Sequence, residues 1–498
     1  MSEPSHSDVL IVGGGISGIA MAAYMGKLCP GTSYQIVERR EQLGGTWDLF
    51  RYPGIRSDSD MHTLGFSFAP WPDRESIAAG DAIRAYLEQV ASSHGVLPHI
   101  RFGTRVIAAD FRHTEGRWLV TLEDAAGRES RMTASFLYLA AGYYDYDSPH
   151  DPPFPGREEF SGPVVHPQFW PDGLDYRGKR VVIVGSGATA VTLVPAMAAT
   201  ASHVTMLQRT PTWMGARPSQ DRLGAFLRKF LPHRAAAGLV RRWNIRVQDF
   251  IYRKARTRPD KIARFLTRKA RQALGPHYNE KDWLPPYGPW EQRLCLVPDG
   301  DLFDAVRQGR ASVVTDRIDR FDRSGIRLQS GRHLDADIIV TATGLRLAMA
   351  GNIRVTLDGQ RLRWRDHFYY RSCMFSNVPN LAVVFGYLNA SWTLRAEATA
   401  RYICGVLNHM AATGADIAMP RLAEKDRPEE SALSEFSSGY IQRALPLMPK
   451  SAATLPWRLN QDYREDRRDF RDRPVDDGIL SFEQARWRAT EFSPNPVP

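Results

Sequence analysis

The chain has 498 residues, 43% of them hydrophobic and 24% charged, enough for two or three globular domains with large buried cores. No apolar run is long enough to span a bilayer, and the most apolar early stretch, Val9 to Ala23, is broken by glycines and lacks a basic leader, so the expectation is a cytoplasmic protein. The net charge of +10 is uneven, because Asp221 to Arg271 alone carries sixteen Lys and Arg against three Asp.

Asp8 to Val12 is a short apolar run, read as a buried parallel strand. Gly13-Gly-Gly15-Ile-Ser17-Gly18 follows, then a small-residue helix from Ile16 to about Leu28, stopped by Cys29-Pro30-Gly31. A second strand, Tyr34 to Val37, ends in Glu38. Strand, glycine turn, helix, strand and acid together form a dinucleotide site: the turn seats a pyrophosphate on a helix N-terminus, and the acid reaches the ribose hydroxyls.

Gly44-Gly45-Thr46-Trp47 and Arg51-Tyr-Pro-Gly54 come next. Two glycines before a tryptophan let the backbone approach a flat ring; a tight loop around a core tryptophan is the alternative. Phe136 to Gly142 is an apolar strand ending in glycine. A stiff connector follows, with prolines at 152, 153, 155, 163, 167 and 171. Within it lies Phe160-Ser-Gly-Pro-Val-Val-His166-Pro-Gln-Phe-Trp170, where His166 reads as a switch, a latch or a structural histidine.

The nucleotide unit then repeats. Arg180 to Val184 is a strand, Gly185-Ser186-Gly187-Ala188-Thr189-Ala190 the turn, Ala190 to Ala199 a helix and His203 to Leu207 the second strand. This one ends in Gln208-Arg209-Thr210 and not in an acid. A carboxylate repels a 2′-phosphate and an arginine pairs with it, so the first site is expected to take FAD and the second NADPH. Asp337 to Gly344 echoes the earlier glycine-terminated strand, and Asn380 to Gly386 reads as another, returning to the first domain.

The fold class is therefore α/β: two Rossmann-like dinucleotide-binding domains for FAD and NADPH, each with a β-meander, and a helical insertion. The expected domains are 1–147 with 345–498 for FAD, and 148–344 for NADPH, with the basic insertion at about 217–281. A solvated helical face is the plain reading of that insertion; peripheral contact with anionic lipid and attraction of the anionic cofactor are the alternatives, and no module for nucleic acid accompanies the charge. The four cysteines, Cys29, Cys295, Cys373 and Cys404, are scattered, which excludes a disulfide framework, a zinc site and a redox dithiol, and no metal site is expected.

The strings GGGISG, GGTW, RYPG, FSGPVVHPQFWP and GSGATA resemble a class B flavoprotein monooxygenase, specifically a Baeyer–Villiger monooxygenase. GGTWDLFRYPGIRSDSDMHTLGF, PWEQRLCLVPDGDLF and PWRLNQDY are similar to the ethionamide-activating branch of mycobacterial enzymes. Pro167 departs from the threonine usual after the fingerprint histidine, while Trp170-Pro171 fits the Baeyer–Villiger form. The resemblance implies NADPH- and O2-dependent conversion of a ketone to an ester or lactone through a C4a-peroxyflavin. It implies an oxygen-stabilising arginine at Arg293, with Asp58 against it, and a catalytic part for His166. Arg56, Ser57, Asp58 and Val106 join the glycine turns, Glu38 and Thr46-Trp47 as cofactor contacts, and Arg209 with Thr210 as 2′-phosphate contacts. Gln292 stands where many relatives have lysine. Trp457 and the stretch Asn389-Ala-Ser-Trp392, read as a helix cap aimed at the flavin, complete the candidates. The alternatives are S- or N-oxygenation of sulfides, thioamides or amines, and an NADPH oxidase or redox-binding protein.

Overall fold

The computed structural model describes residues 4–292, 294–433 and 438–485. Strand β1 (Ser5–Val12) lies between β2 (Tyr34–Val37) and β6 (Glu129–Leu139), parallel to both, with Val9, Leu10 and Ile11 fully buried. A strand covered on both faces reads as a continuous apolar run, and this one does. β3 (Ile100–Arg101) extends the sheet beyond β2, while β4 (Thr104–Arg112) and β5 (Arg117–Asp124) form an antiparallel meander with β6. The helix Ile16–Leu28 joins β1 to β2 and packs on the long helix Trp392–Thr413.

A second sheet is wholly parallel, in the order β12, β9, β8, β16, β7. Its strands are β7 (Val164–Val165), β8 (Arg180–Val184), β9 (His203–Gln208), β12 (Ala311–Thr315) and β16 (Ile338–Thr341). Between β9 and β12, β10 (Met214–Arg217) pairs in parallel with β11 (Cys295–Pro298). A separate meander of β13 (Ile318–Asp322), β14 (Gly325–Leu328) and β15 (His333–Asp335) precedes β16. The helix after the second glycine turn is Ala188–Met197, beginning two residues before the expected start; Pro195 sits inside it.

The chain then returns to the first sheet: β17 (Arg354–Leu357) pairs with β4 and with β18 (Gln360–Arg361). After a short hairpin of β19 (Tyr369–Tyr370) and β20 (Met374–Phe375), β21 (Leu381–Val383) lies against the end of β6. The two crossings between the folds run side by side. Asp145 N–H donates to Arg346 O at 2.8 Å, Ala348 N–H to Tyr143 O at 3.0 Å and Thr343 Oγ1 to His150 O at 2.6 Å.

The basic segment forms helices Arg222–Leu227, His233–Thr257 and Pro259–Leu274. Its middle helix is only partly solvated. Arg241 donates to the carbonyls of His62 (3.0 Å) and Gly65 (2.5 Å) and pairs with Glu397 at 2.8 Å, so one helix face is bolted to the first fold. All four cysteines are buried and in no disulfide.

Candidate active site

The two glycine turns are built alike. Gly13 has φ +110°, and a Cβ there would lie 2.6 Å from the Ala140 carbonyl oxygen, just beyond β6. Gly185 has φ +138°, and its Cβ would lie 2.3 Å from the Ala342 oxygen, just beyond β16. In each fold the first glycine is thus required both by backbone conformation and by the neighbouring glycine-terminated strand. At Gly18 a Cβ would meet the Gly13 oxygen at 2.0 Å, so its role is helix-to-turn packing.

One cavity joins these turns. Gly13, Gly15, Ser17, Glu38, Gly45, Thr46, Trp47, Arg56, Ser57, Asp58 and Val106 line it from the first fold, and Ala188, Thr189 and Thr192 from the second. Three helices begin at its wall: Ile16–Leu28 after Gly15, Ala188–Met197 after Gly187 and Trp392–Thr413 after Ser391. None of the three has a side chain capping its first amides, a feature they share with helices away from the cavity such as Gly80–Ser93 and His233–Thr257. Open amide groups at a helix N-terminus suit phosphate or another anion.

Glu38 is buried, its two carboxylate oxygens accepting from Gly14 N–H at 2.6 Å and Arg40 N–H at 2.9 Å. Burial pushes its carboxyl above the ordinary range despite these bonds. Ser57 Oγ accepts from Ala78 N–H at 3.1 Å, fixing the Arg56-Ser57-Asp58 loop. Arg56 turns to the second fold and pairs with Asp301 at 2.5 Å. Asp58 lies on the cavity wall. Arg293 falls outside the described residues; Leu294, Cys295 and Leu296, which follow it, line the cavity.

His166 does not line the cavity. Its Nδ1 accepts from Gln168 N–H at 3.1 Å, which leaves Nε2 to donate to the Gly344 carbonyl at 3.2 Å. It ties the proline-rich connector to the return crossing, and burial pushes its pKa down. With both ring nitrogens satisfied and the ring buried, the geometry fits a latch and a structural histidine alike. Gly185, Ser186 and Gly187, which lead into the lining residues Ala188 and Thr189, and Arg209 and Thr210, which follow β9, do not themselves line the cavity. There Ser186 Oγ donates to the Thr210 carbonyl at 3.0 Å, and Arg209 is exposed with no ion pair among the described residues. Trp457 packs against Tyr370 and the Phe368 cluster and takes no part in the cavity wall.

Several site features escaped the sequence. Tyr52 and Gly54 of the Arg51-Tyr-Pro-Gly54 loop belong to the seam between the folds: Tyr52 is buried within the core of the second fold with its hydroxyl beside Thr189. Trp392, whose Nε1 donates to Ser17 Oγ at 2.8 Å, stacks on Tyr143 with ring centroids 4.9 Å apart, and both line the cavity. Tyr387, also on the wall, donates its hydroxyl to buried Asp466 and lies 4.1 Å beneath the Arg395 guanidinium. The nearby Asn389-Ala-Ser-Trp392 was a visible signal, since it opens the helix, although Ser391 bonds Thr63 Oγ1 at 2.6 Å and not the helix amides.

These features recur in known proteins. A model of the family described as "FMO-like: Flavin-binding monooxygenase-like" matches residues 6–255. The probable FAD-binding monooxygenase AlmA of Acinetobacter baylyi is 46% identical over 480 residues, 96% of each chain. The FAD-containing monooxygenase EthA of Mycobacterium tuberculosis is 47% identical over 479 residues, 96% of this chain and 98% of its own. Among solved structures, an oxidised steroid monooxygenase bound to NADP superposes with a TM-score of 0.77 at 23% identity, over 96% of this chain and 100% of that one. An ε-caprolactone-bound cyclohexanone monooxygenase does so with a TM-score of 0.75 at 18% identity, over the same shares. With the paired glycine cradles, the shared cavity and near full-length identity all in agreement, the chain belongs to the flavin-binding monooxygenase-like family and is a flavin-dependent monooxygenase.

Proposed function

We propose that the protein is an FAD-containing, NADPH- and O2-dependent Baeyer–Villiger monooxygenase that converts ketones to esters or lactones. The observation that carries this reading is the single cavity walled by the Gly13 turn from one fold and by Ala188 and Thr189 from the other. FAD held by the first turn and NADPH held by the second would share this cavity. When bound, FAD supplies oxygen activation and NADPH supplies the hydride.

The residues present fit that pair. Gly13, Gly15 and the open amides after Gly15 would hold the FAD pyrophosphate, and Glu38 the adenosine ribose. Trp47 and Val106 would wall the cofactor, with Arg56, Ser57 and Asp58 at its reactive end. The open N-terminus of Trp392–Thr413 would favour negative charge on the pyrimidine edge. Gly185, Gly187 and Thr189 would hold the NADPH pyrophosphate, and Arg209 with Thr210 the 2′-phosphate. We assign to Arg293 the holding of negative charge on activated oxygen, because guanidinium stays charged at working pH, and to Asp58 its orientation. His166 would act as a positioning residue at the domain crossing. The FAD unit is read as 1–147 with 345–498, and the NADPH unit as 148–344.

Oxygenation of a sulfide, thioamide or amine is the second reading. It draws on the relatives named only as monooxygenases being twice as similar in sequence as the steroid and cyclohexanone enzymes. Incubation of the flavin-loaded enzyme with NADPH, air and matched ketone and sulfide substrates separates the two. Ester from the ketone supports the first; sulfoxide alone, with no ester from any ketone, replaces it with the second.

A further inference from the structure

The helix Tyr463–Asp472 is divided by charge. Asp466 and Asp469 point inward, where Asp466 pairs with fully buried Arg395 at 3.1 Å and Asp469 lies 3.6 Å from fully buried Arg371. The outward face carries Arg464, Arg467, Arg468 and Arg471, spaced by three, one and three residues as one helical face requires. Opposite them, on the helix His233–Thr257, stand Arg242 and Arg246, so that six arginines line one surface groove. Asp249 pairs with Arg464 at 3.1 Å and Asp472 with Arg471 at 2.6 Å. Arg242, Arg246, Arg467 and Arg468 are exposed and make no ion pair among the described residues. Of the four acids on this helix, Asp466 and Asp469 are committed inward and Asp472 pairs with Arg471, which leaves Arg467 and Arg468 without an ion pair among the described residues.

The groove adjoins an apolar stripe. Leu239, Trp243 and Phe250 lie with Arg246 at spacings of four, three and four, on the side of their helix opposite Arg241 and Asn244, which grip the first fold. Trp243 is 56% and Phe250 60% exposed. On the preceding segment Phe226 and Phe230 form a ring pair 5.3 Å apart and are 57% and 72% exposed. Bulky apolar side chains rarely gather at a surface without a partner. Unpaired arginines beside exposed tryptophan and phenylalanine match the two layers of an anionic lipid interface, phosphate outside and acyl chain beneath.

We propose that this face docks on an anionic phospholipid bilayer, the arginine groove receiving headgroup phosphates while Trp243 and Phe250 enter the interface. Binding here is peripheral, since no helix among the described residues is long and apolar enough to cross a membrane. The inference does not depend on which substrate is oxygenated.

The test is flotation of the flavin-loaded full chain with vesicles of phosphatidylcholine alone or mixed with phosphatidylglycerol. Binding is expected only to the mixed vesicles and at least tenfold weaker at about 0.5 M salt. Arg467→Glu with Arg468→Glu, and separately Trp243→Glu with Phe250→Glu, should each weaken binding at least tenfold while circular dichroism and NADPH oxidation stay as in the parent. Failure to bind phosphatidylglycerol vesicles overturns the proposal. So does binding that both double variants retain, or a groove that takes up free glycerol phosphate in a protein that ignores vesicles.

Discussion

Gly54 lies against Ala196 across the seam between the two folds: a Cβ at Gly54, whose φ is +76°, would stand 2.6 Å from the Ala196 Cβ. The loop following the first nucleotide unit is therefore moulded onto the first helix of the second, with Tyr52 beside Thr189 about two turns away. Gly54→Ala is expected to disfavour the docked arrangement by about 1–3 kcal/mol, the combined effect of backbone strain and contact. Flavin content should be unchanged, while anaerobic reduction of the flavin by NADPH slows roughly tenfold. Stopped-flow absorbance measures both; an unaltered reduction rate would remove Gly54 from the seam.

The two leading glycines should separate the cofactors. Gly13→Val is expected to yield protein without bound flavin, since the added side chain drives into the Ala140 carbonyl. Gly185→Val should retain yellow colour yet lose saturable NADPH binding, the clash being with Ala342. Visible absorbance and a cofactor titration read the two outcomes.

Arg209 is exposed at the end of β9, where an acid stands in the first fold. Removing a charged partner of a phosphate costs about 1.5–3 kcal/mol, so Arg209→Ala should raise the KM for NADPH roughly tenfold or more and leave that for NADH nearly unchanged. Equal loss for both nucleotides would place the 2′-phosphate elsewhere.

His166 supplies a pH signature. Burial depresses its pKa below the ordinary 6.5, so the folded protein holds it neutral. As pH falls below about 6.5 the unfolded chain takes up a proton that the fold resists, and stability present at neutral pH is lost. His150 and His367 are depressed in the same sense, so the informative quantity is the difference between proteins. Tm should fall less steeply between about pH 6.5 and 5 in His166→Asn than in the parent. Parallel slopes would mean that His166 does not contribute.

Asp466 accepts from Tyr387 and from Asn460 Nδ2 at 2.8 Å and pairs with buried Arg395. Asp466→Ala leaves a buried guanidinium without its counter-charge and should destabilise the fold by about 3–5 kcal/mol in urea denaturation. Tyr387→Phe removes one hydrogen bond and should cost about 1 kcal/mol.

Much of the nucleotide machinery was legible because it obeys local rules. The helix Ile16–Leu28 and the strands Tyr34–Val37 and Arg180–Val184 stand where apolar runs and glycine punctuation place them. The charged tail was not legible. Its acids pair with Arg371 and Arg395, some seventy to a hundred residues earlier in sequence, and a charge run gives no sign of which members are buried. The insertion misled in the same way, because Arg241 looks like any solvated arginine until its three-dimensional partners, the carbonyls of His62 and Gly65, are known. Arg51-Tyr-Pro-Gly54 was visible as a motif, but its contact with Ala196 is a tertiary fact that local spacing does not encode.

Direct hydride transfer across the shared cavity is tested by mixing the flavin-loaded enzyme anaerobically with NADPH carrying deuterium at one or the other C4 position, and following the loss of flavin absorbance. Rapid bleaching, slowed by a primary isotope effect for one of the two stereoisomers, is the predicted result. Flavin that stays oxidised in the presence of saturating NADPH would contradict the account.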